Sequence, residues 1–163
     1  MPEDALRLLQ SDHERVRALF EDFDALSESA LDEQQTLASE ILDALTVHAF
    51  IEEQVLYPAV RKANETLKDE VLESLEEHHA MKVMIAEINE MSPEDERFRA
   101  KVTVLKEEVL HHVEEEEQEM FPRVRKAMNE VELTALRDEL EEAEDRAPSQ
   151  PEPLKEVLAR AGA

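Results

Sequence analysis

The sequence predicts an all-α fold, an up-down-up-down four-helix bundle with an additional short C-terminal helix and tail. Three observations carry this. One glycine, Gly162, and seven prolines punctuate 163 residues, too few for the many tight turns of a β fold. Apolar residues recur at alternating steps of three and four along four long stretches, the stripe of a packed helix. The good helix formers Leu, Glu, Ala, Arg and Lys are abundant. The length suits one domain, and 42% apolar against 37% charged residues suits a folded rather than a disordered chain.

The first stripe is Leu6, Leu9, His13, Val16, Phe20 and Phe23, and the polar segment 27–34 ends that helix. A second helix is expected over 35–64, with Ile41, Leu45, His48, Glu52, Val55 and Ala59 on one face. A third is expected over 67–91, with Val71, Leu75, His78, Met81, Ile85 and Ile88 inward. In "MSPEDE", Ser92 reads as an N-cap, Pro93 as the first helical residue, and Glu94 to Glu96 as complements to the helix dipole. The fourth helix then carries Phe98, Val102, Leu105, Val109, His112, Glu116, Met120 and Val124. Pro58 and Pro122 fall inside helices two and four and are expected to kink or end them locally. A fifth helix is expected over 131–145, then the linker "APSQPEP", then "LKEVLARAGA" as a loose helix or disordered end. The chain thus divides into a bundle over 1–128, an additional helix over 129–147 on or near it, and a flexible or loosely helical tail over 148–163.

Acidic residues outnumber basic ones by 42 to 18, for a formal charge of −24. Phosphate backbones and anionic membrane surfaces are repelled, so neither nucleic acid nor a membrane is an expected partner. The chain has no cysteine, which excludes disulfides, thiolate ligands and a cysteine nucleophile. "MPEDALRLLQ" lacks the basic start and apolar run of a secretory signal, so a cytoplasmic location is expected.

The sequence writes one phrase twice. "HAFIEEQVLYP" begins at His48 and "HVEEEEQEMFP" at His112, each with Glu four residues after the His and an aromatic–Pro pair at the same place. The repeat extends further: "SDHERVRALFEDF" aligns with "EEHHAMKVMIAEI", placing His13 over His78 and Arg17 over Lys82. The chain therefore reads as two helical hairpins of one plan. Residues four apart share a helix face, so His48 projects with Glu52 and His112 with Glu116. The stripes aim all four inward, together with His13 and His78. Two unpaired carboxylates in an apolar core are costly and repel each other. A pair of cations resolves this, each taking two imidazoles and sharing both carboxylates, at a separation of about 3.5–4 Å. Imidazole with carboxylate suits iron, manganese or zinc. Of the remaining histidines, His111 shares a polar flank with Glu108 and Glu115. His79 shares a face with Leu72, Leu75, Val83 and Ala86 and is the alternative to His78, which the repeat register favours. Tyr57 and Phe121 read as packing residues, with the Tyr57 hydroxyl in reach of a metal-bound group.

"DHERVRALF", "HAFIEEQVLYP", "EHHAMK" and "HVEEEEQEMFP" together resemble the hemerythrin HHE cation-binding family over about residues 6–126. The resemblance implies a non-haem di-iron centre bridged by Glu52 and Glu116, with His13, His48, His78 and His112 as terminal ligands and an oxo, hydroxo or water bridge. It implies binding of oxygen, peroxide or nitric oxide, with a redox partner unspecified. The oxygen-carrying hemerythrins have His-x-x-x-His on the third helix, where this chain has Lys82 four residues after His78; they also carry an Asp bridge, spaced differently from Glu116. One imidazole fewer leaves a more symmetric, more open site. Oxygen or related small-ligand binding is therefore the first expectation. A catalase-like or peroxidase-like enzyme of oxidative or nitrosative stress is the second, and an iron sensor or store the third.

Overall fold

The computed structural model describes residues 3–161, and every regular element among them is helical. Four rods form the bundle: α1 (Ala5–Asp24); α2 (Leu31–Ile51) continuing into α3 (Tyr57–Ala63); α4 (Lys68–Asn89); and α5 (Phe98–Glu115) continuing into α6 (Phe121–Ala127). Around the bundle, α1 packs on α2 and α5, and α4 packs on α2 and α5. Two further helices follow, α7 (Glu130–Arg146) and α8 (Leu154–Ala161).

Local chemistry sets the helix ends. Asp4 caps α1 by accepting the Arg7 N–H at 3.0 Å. The second helix starts at Leu31 rather than at residue 35, with Asp32 and Glu33 on the positive end of its dipole. The fully buried Gln34 explains the earlier start, because its amide donates to the carbonyls of Ser27 and Glu28 and ties the loop to the first turn. Ser92 does not cap a helix. Its hydroxyl accepts from the Glu94 N–H and Asp95 accepts from the Arg97 N–H, so "SPEDE" forms successive local turns and α5 begins only at Phe98. Short polar side chains that bond their own backbone compete with helix in this way. Asn129 and Glu132 form a reciprocal capping box at the start of α7.

Neither Pro58 nor Pro122 ends its helix. In the turn before each, Glu52–Leu56 and Glu116–Met120, the helix winds wider into π geometry. There the Tyr57 N–H reaches back to the Glu52 carbonyl and the Phe121 N–H to the Glu116 carbonyl. Each proline, which has no N–H to give, then opens the resumed α-helix. Both wide turns begin on an inward Glu, and single π turns are common where a helix presents functional groups.

The core is in two parts. One cluster centres on Leu6, Leu9, Leu56, Val60, Val71 and Val124, and the other on Phe20, Phe23, Ile41, Ile85, Phe98 and Leu105. Between them the rods turn inward not apolar residues but His13, His48, Glu52, His78, His112 and Glu116. The additional helix α7 closes the side of the first cluster. Its Leu133, Leu136, Leu140 and Ala143 are buried against residues of α1 and the wide turn after α2. The expected tail contains a two-turn helix, α8, packed on α4 with Val157 buried. No helix of the described residues is long and apolar enough to cross a membrane.

If α7 is an integral wall, Leu140→Ala leaves a cavity at a fully buried position. It should cost about 2–5 kcal/mol in urea unfolding. A loss below about 1 kcal/mol would mean that α7 is only loosely attached.

Candidate metal centre

Each of the four rods contributes to the polar layer through a position that its apolar stripe makes inward. His13 comes from α1, His48 from α2 with Glu52 one turn on, His78 from α4, and His112 from α5 with Glu116 one turn on. All six are buried, with Glu52 at 0% and Glu116 at 2% relative exposure. The side chains fall into two groups with ligand atoms close enough to hold a metal ion. One is His13, His48, Glu52 and Glu116, and the other is Glu52, His78 and His112. Among the described residues neither of these two groups includes His79, which is half-buried. His111 is exposed and pairs with Glu115 at 3.0 Å.

The imidazoles meet in pairs. His13 Nε2 stands 3.0 Å from His48 Nε2, and His78 Nε2 stands 3.1 Å from His112 Nε2. The carboxylates lie against them, with Glu52 Oε1 3.2 Å from His48 Nε2 and 3.3 Å from His78 Nε2. Glu116 Oε2 is 3.2 Å from His112 Nε2, and Glu116 Oε1 is 3.4 Å from His13 Nε2.

A set of residues that the sequence motifs did not single out fixes these rings. Every inward histidine gives its outer nitrogen to a carboxylate. His48 Nδ1 donates to Asp12 at 3.1 Å, His13 Nδ1 to Glu117 at 3.0 Å, His78 Nδ1 to Glu53 at 2.9 Å and His112 Nδ1 to Glu77 at 2.9 Å. An ionised carboxylate only accepts, so the proton of each neutral ring sits on Nδ1 and its Nε2 lone pair faces the centre. Glu53 and Glu77 are held below the usual carboxylate range. Burial works against this at Glu53 but His78 and Lys82 outweigh it, while His112 is the main cause at Glu77. Two of the four carboxylates have a cation behind them: Lys82 reaches Glu53 at 2.8 Å and Arg17 reaches Glu117 at 3.5 Å. Lys82 thus stands in the position of a missing imidazole without taking its role. It braces the carboxylate that orients His78.

The repeat did carry a signal for these residues. Asp12 and Glu77 directly precede His13 and His78, and Glu53 and Glu117 directly follow Glu52 and Glu116. They are duplicated in position, with Asp12 answered by Glu77 and Glu53 by Glu117.

Four lone pairs and two carboxylates turned toward one layer demand an electrophile. Glu52 has no hydrogen-bond partner on either oxygen, and Glu116 has none on Oε1. The donor set, four imidazoles and two carboxylates with no thiolate, is that of a borderline cation such as iron, manganese or zinc. Without a metal the same demand falls on protons. Burial alone would lower the His48 pKa, but the Glu52 and Asp12 carboxylates raise it well above 6.5. Burial likewise opposes protonation of His112, yet Glu116 and Glu77 lift it to about 10. His78 is raised against its burial by Glu52 and Glu53. Burial pushes Glu116 up, but its contacts with His112 and His13 outweigh that and hold it well below 4.5.

The two halves differ at the aromatic position of the repeat. Tyr57 donates its hydroxyl to Glu116 Oε2 at 2.8 Å and lies 3.2 Å from His78 Nε2 and 3.4 Å from His112 Nε2. Phe121, its counterpart in the repeat, instead stacks on His13 with ring centroids 6.1 Å apart. Burial and the charges of Glu116 and Glu52 raise the Tyr57 pKa well above 10, so the phenol keeps its proton. A small cavity of about 30 Å³ adjoins the layer, walled by Val16, Leu45, Met81 and Val109 and reached by all four inward histidines.

These shifts fix a pH profile for the metal-free protein. The raised histidines contribute stability that is complete below their unfolded value near 6.5 and lost as the pH climbs toward about 10. The depressed Glu116 contributes stability present above about 4.5 and lost as the pH falls through its lower folded value. The melting temperature of chelator-treated protein should therefore peak between about pH 4.5 and 6.5 and decline on the alkaline side. A profile flat from pH 6 to 10 would contradict the buried imidazole–carboxylate layer.

The model of the family described as Hemerythrin HHE cation binding domain matches residues 4–124. A Nostoc sp. (strain PCC 7120 / SAG 25.82 / UTEX 2576) protein named as a DNA nickase is 30% identical over 118 residues, covering 72% of this chain and 32% of that protein. The chain therefore spans about a third of that relative's length. The crystal structure of a hemerythrin HHE cation binding domain-containing protein from Mycobacterium kansasii shares the fold. Its TM-score is 0.73 at 19% identity, covering 88% of this chain and 86% of that one. With four rods, an inward His/Glu layer and a family match over most of its length, this chain belongs to the hemerythrin HHE cation-binding family.

Proposed function

We propose that the protein holds two iron ions in a carboxylate-bridged centre and binds oxygen or a related small ligand, peroxide or nitric oxide, beside them. The observation that carries this is the double group of inward donors, paired through Glu52, against an apolar cavity with room for only a very small molecule. His13 and His48 would hold one ion, His78 and His112 the other, with Glu52 and Glu116 shared. Iron is preferred to manganese or zinc on the family resemblance. Bound there, it would supply a redox couple and coordination positions that six side chains leave open.

The chain's own residues do the rest. The four outer carboxylates lock the rings in one tautomer and one orientation. The apolar walls exclude bulk water and admit a small uncharged ligand. The acidic surface disfavours polyanions, so the nicking activity in the Nostoc relative's name is no part of this reading.

Tyr57 favours a second reading, catalase-like or peroxidase-like turnover. Its phenol keeps a proton at neutral pH and stands beside the His78–His112 half alone. That is where a general acid would be placed to protonate an oxygen leaving group.

Metal analysis after anaerobic iron loading should find about two ions per chain in the parent and a marked loss in Glu52→Ala. No more than trace metal in the loaded parent would end the reading. Tyr57→Phe should retain the full metal content. If peroxide is the substrate, the variant should lose about 100-fold or more in peroxide turnover. Unchanged turnover, or a visible band that forms with oxygen and bleaches on deoxygenation in parent and variant alike, favours carriage over catalysis.

A further inference from the structure

A groove on the α4/α5 face leads from solvent to the buried layer, and its walls are carboxylates: Glu70 and Glu73 on α4, Glu115 on α5 and Glu119 in the wide turn, with Glu77 between them. Its deep end is Glu116, almost wholly buried and with Oε1 unpartnered, flanked by buried Ser74 and Met120. No lysine or arginine lines it. Arg123 pairs with Glu70, His112 with Glu77 and His111 with Glu115, which leaves Glu73 and Glu119 in no ion pair among the described residues. At its rim Glu77, His111 and Glu115 bring three ligand atoms close enough to hold a cation.

The repeat shows that this groove is not what the helical hairpin requires. The equivalent face of the other hairpin has Leu8 where this one has Glu73, Ile51 where it has Glu115, and Val55 where it has Glu119. Those three are buried in the cluster covered by Leu133, Leu136 and Leu140 of α7. One face of the duplicated plan is therefore apolar and roofed, and the other is acidic and open. The cavity over the layer is lined by no carboxylate and by the cation Lys82, and its about 30 Å³ compares with about 80 Å³ for the groove. A hydrated divalent cation is matched by the second and not by the first.

We propose that the α4/α5 groove is the uptake route for the metal, with Glu77, His111 and Glu115 as an outer landing site from which a divalent cation passes Glu73 and Glu119 to Glu116. This rests on the two-metal reading above. Close carboxylates draw a cation to the mouth and raise its local concentration. The imidazole of His111 adds selectivity for a transition metal over calcium or magnesium. Glu116 then completes the transfer, because it belongs to both the groove and the inner group.

The experiment follows loading of the chelator-stripped full chain with cobalt(II), read by the rise of its visible absorption in a stopped-flow cell. The variant Glu73→Gln/His111→Ala/Glu115→Gln/Glu119→Gln should load about ten-fold or more slowly at low ionic strength. It should reach the parent's cobalt content and the parent's gain in melting temperature. The parent's rate should fall steeply with added salt and the variant's should not. A control, Glu40→Gln/Asp43→Asn, removes two charges from a second acidic surface cleft that touches His48 and should load at the parental rate. Equal rates for parent and groove variant, an equal slowing in the control, or a salt-independent parental rate would each overturn the route while leaving the centre intact. A parent that takes up no cobalt would overturn both.

Discussion

The structure turns on two glutamates placed where a four-helix bundle wants leucine. Glu52 and Glu116 are shielded from water, and a bare carboxylate in that setting costs several kcal/mol. Everything around them answers that cost. Four imidazoles are brought within reach, one from each rod, so that the charge is met by protons when no metal is present and by cations when one is. The layer lies between two apolar clusters, which pack the helices around the six polar side chains. The wide turns at Glu52–Leu56 and Glu116–Met120 belong to the same solution. They begin on the two glutamates and let the prolines that follow sit inside a continuing helix.

The second tier extends the argument outward. Carboxylate orients imidazole, and in two places a cation orients the carboxylate: Lys82–Glu53–His78 and Arg17–Glu117–His13. Charge alternates along each chain from surface to centre, so each member is stabilised by the next. A glutamine in place of Glu53 could still accept from His78 but would bring no charge to Lys82. A histidine in place of Lys82 would lose the long reach that meets Glu53 from the next turn of α4. The strongly acidic composition is therefore not all solvation. Asp12, Glu53, Glu77 and Glu117 are part of the site.

The inward layer was legible because helical spacing converts directly into direction. Residues four apart share a face, and a stripe of leucines and valines says which face is inside. Duplication then separated His112 from His111 and Glu116 from its three acidic neighbours. The outer carboxylates were not read, although they are duplicated too. Glu53 and Glu117 lie about 100° around the helix from the inward glutamates, and each acts on a histidine of a different rod. Which rod lies beside which is a fact of packing, not of one helix's pattern, and a run such as "EEEEQE" looks like a solvated face until that neighbour is known. The "MSPEDE" segment failed for a different reason. Its Ser, Pro and acidic residues suit a helix start and a series of turns equally well, and Ser92 and Asp95 bonded their own backbone instead. The Lys82 anomaly was visible, but its meaning required Glu53 in view.

The duplicated plan also shows where function departs from symmetry. The inward residues and the four outer carboxylates keep it, as the proposed pair of like ions would require. Position 57 breaks it, with a phenol on one side and a phenyl at 121 on the other, so the two halves differ in access to a proton. The outer faces break it again, with leucine, isoleucine and valine under α7 on one hairpin and glutamates open to water on the other. A fifth helix could not have covered both: packing α7 on Glu73, Glu115 and Glu119 would bury three like charges with no basic partner among the groove's walls. The position of the fifth helix and the acidity of the opposite face are thus one choice, made by exchanging apolar for acidic residues at corresponding positions of a single repeat.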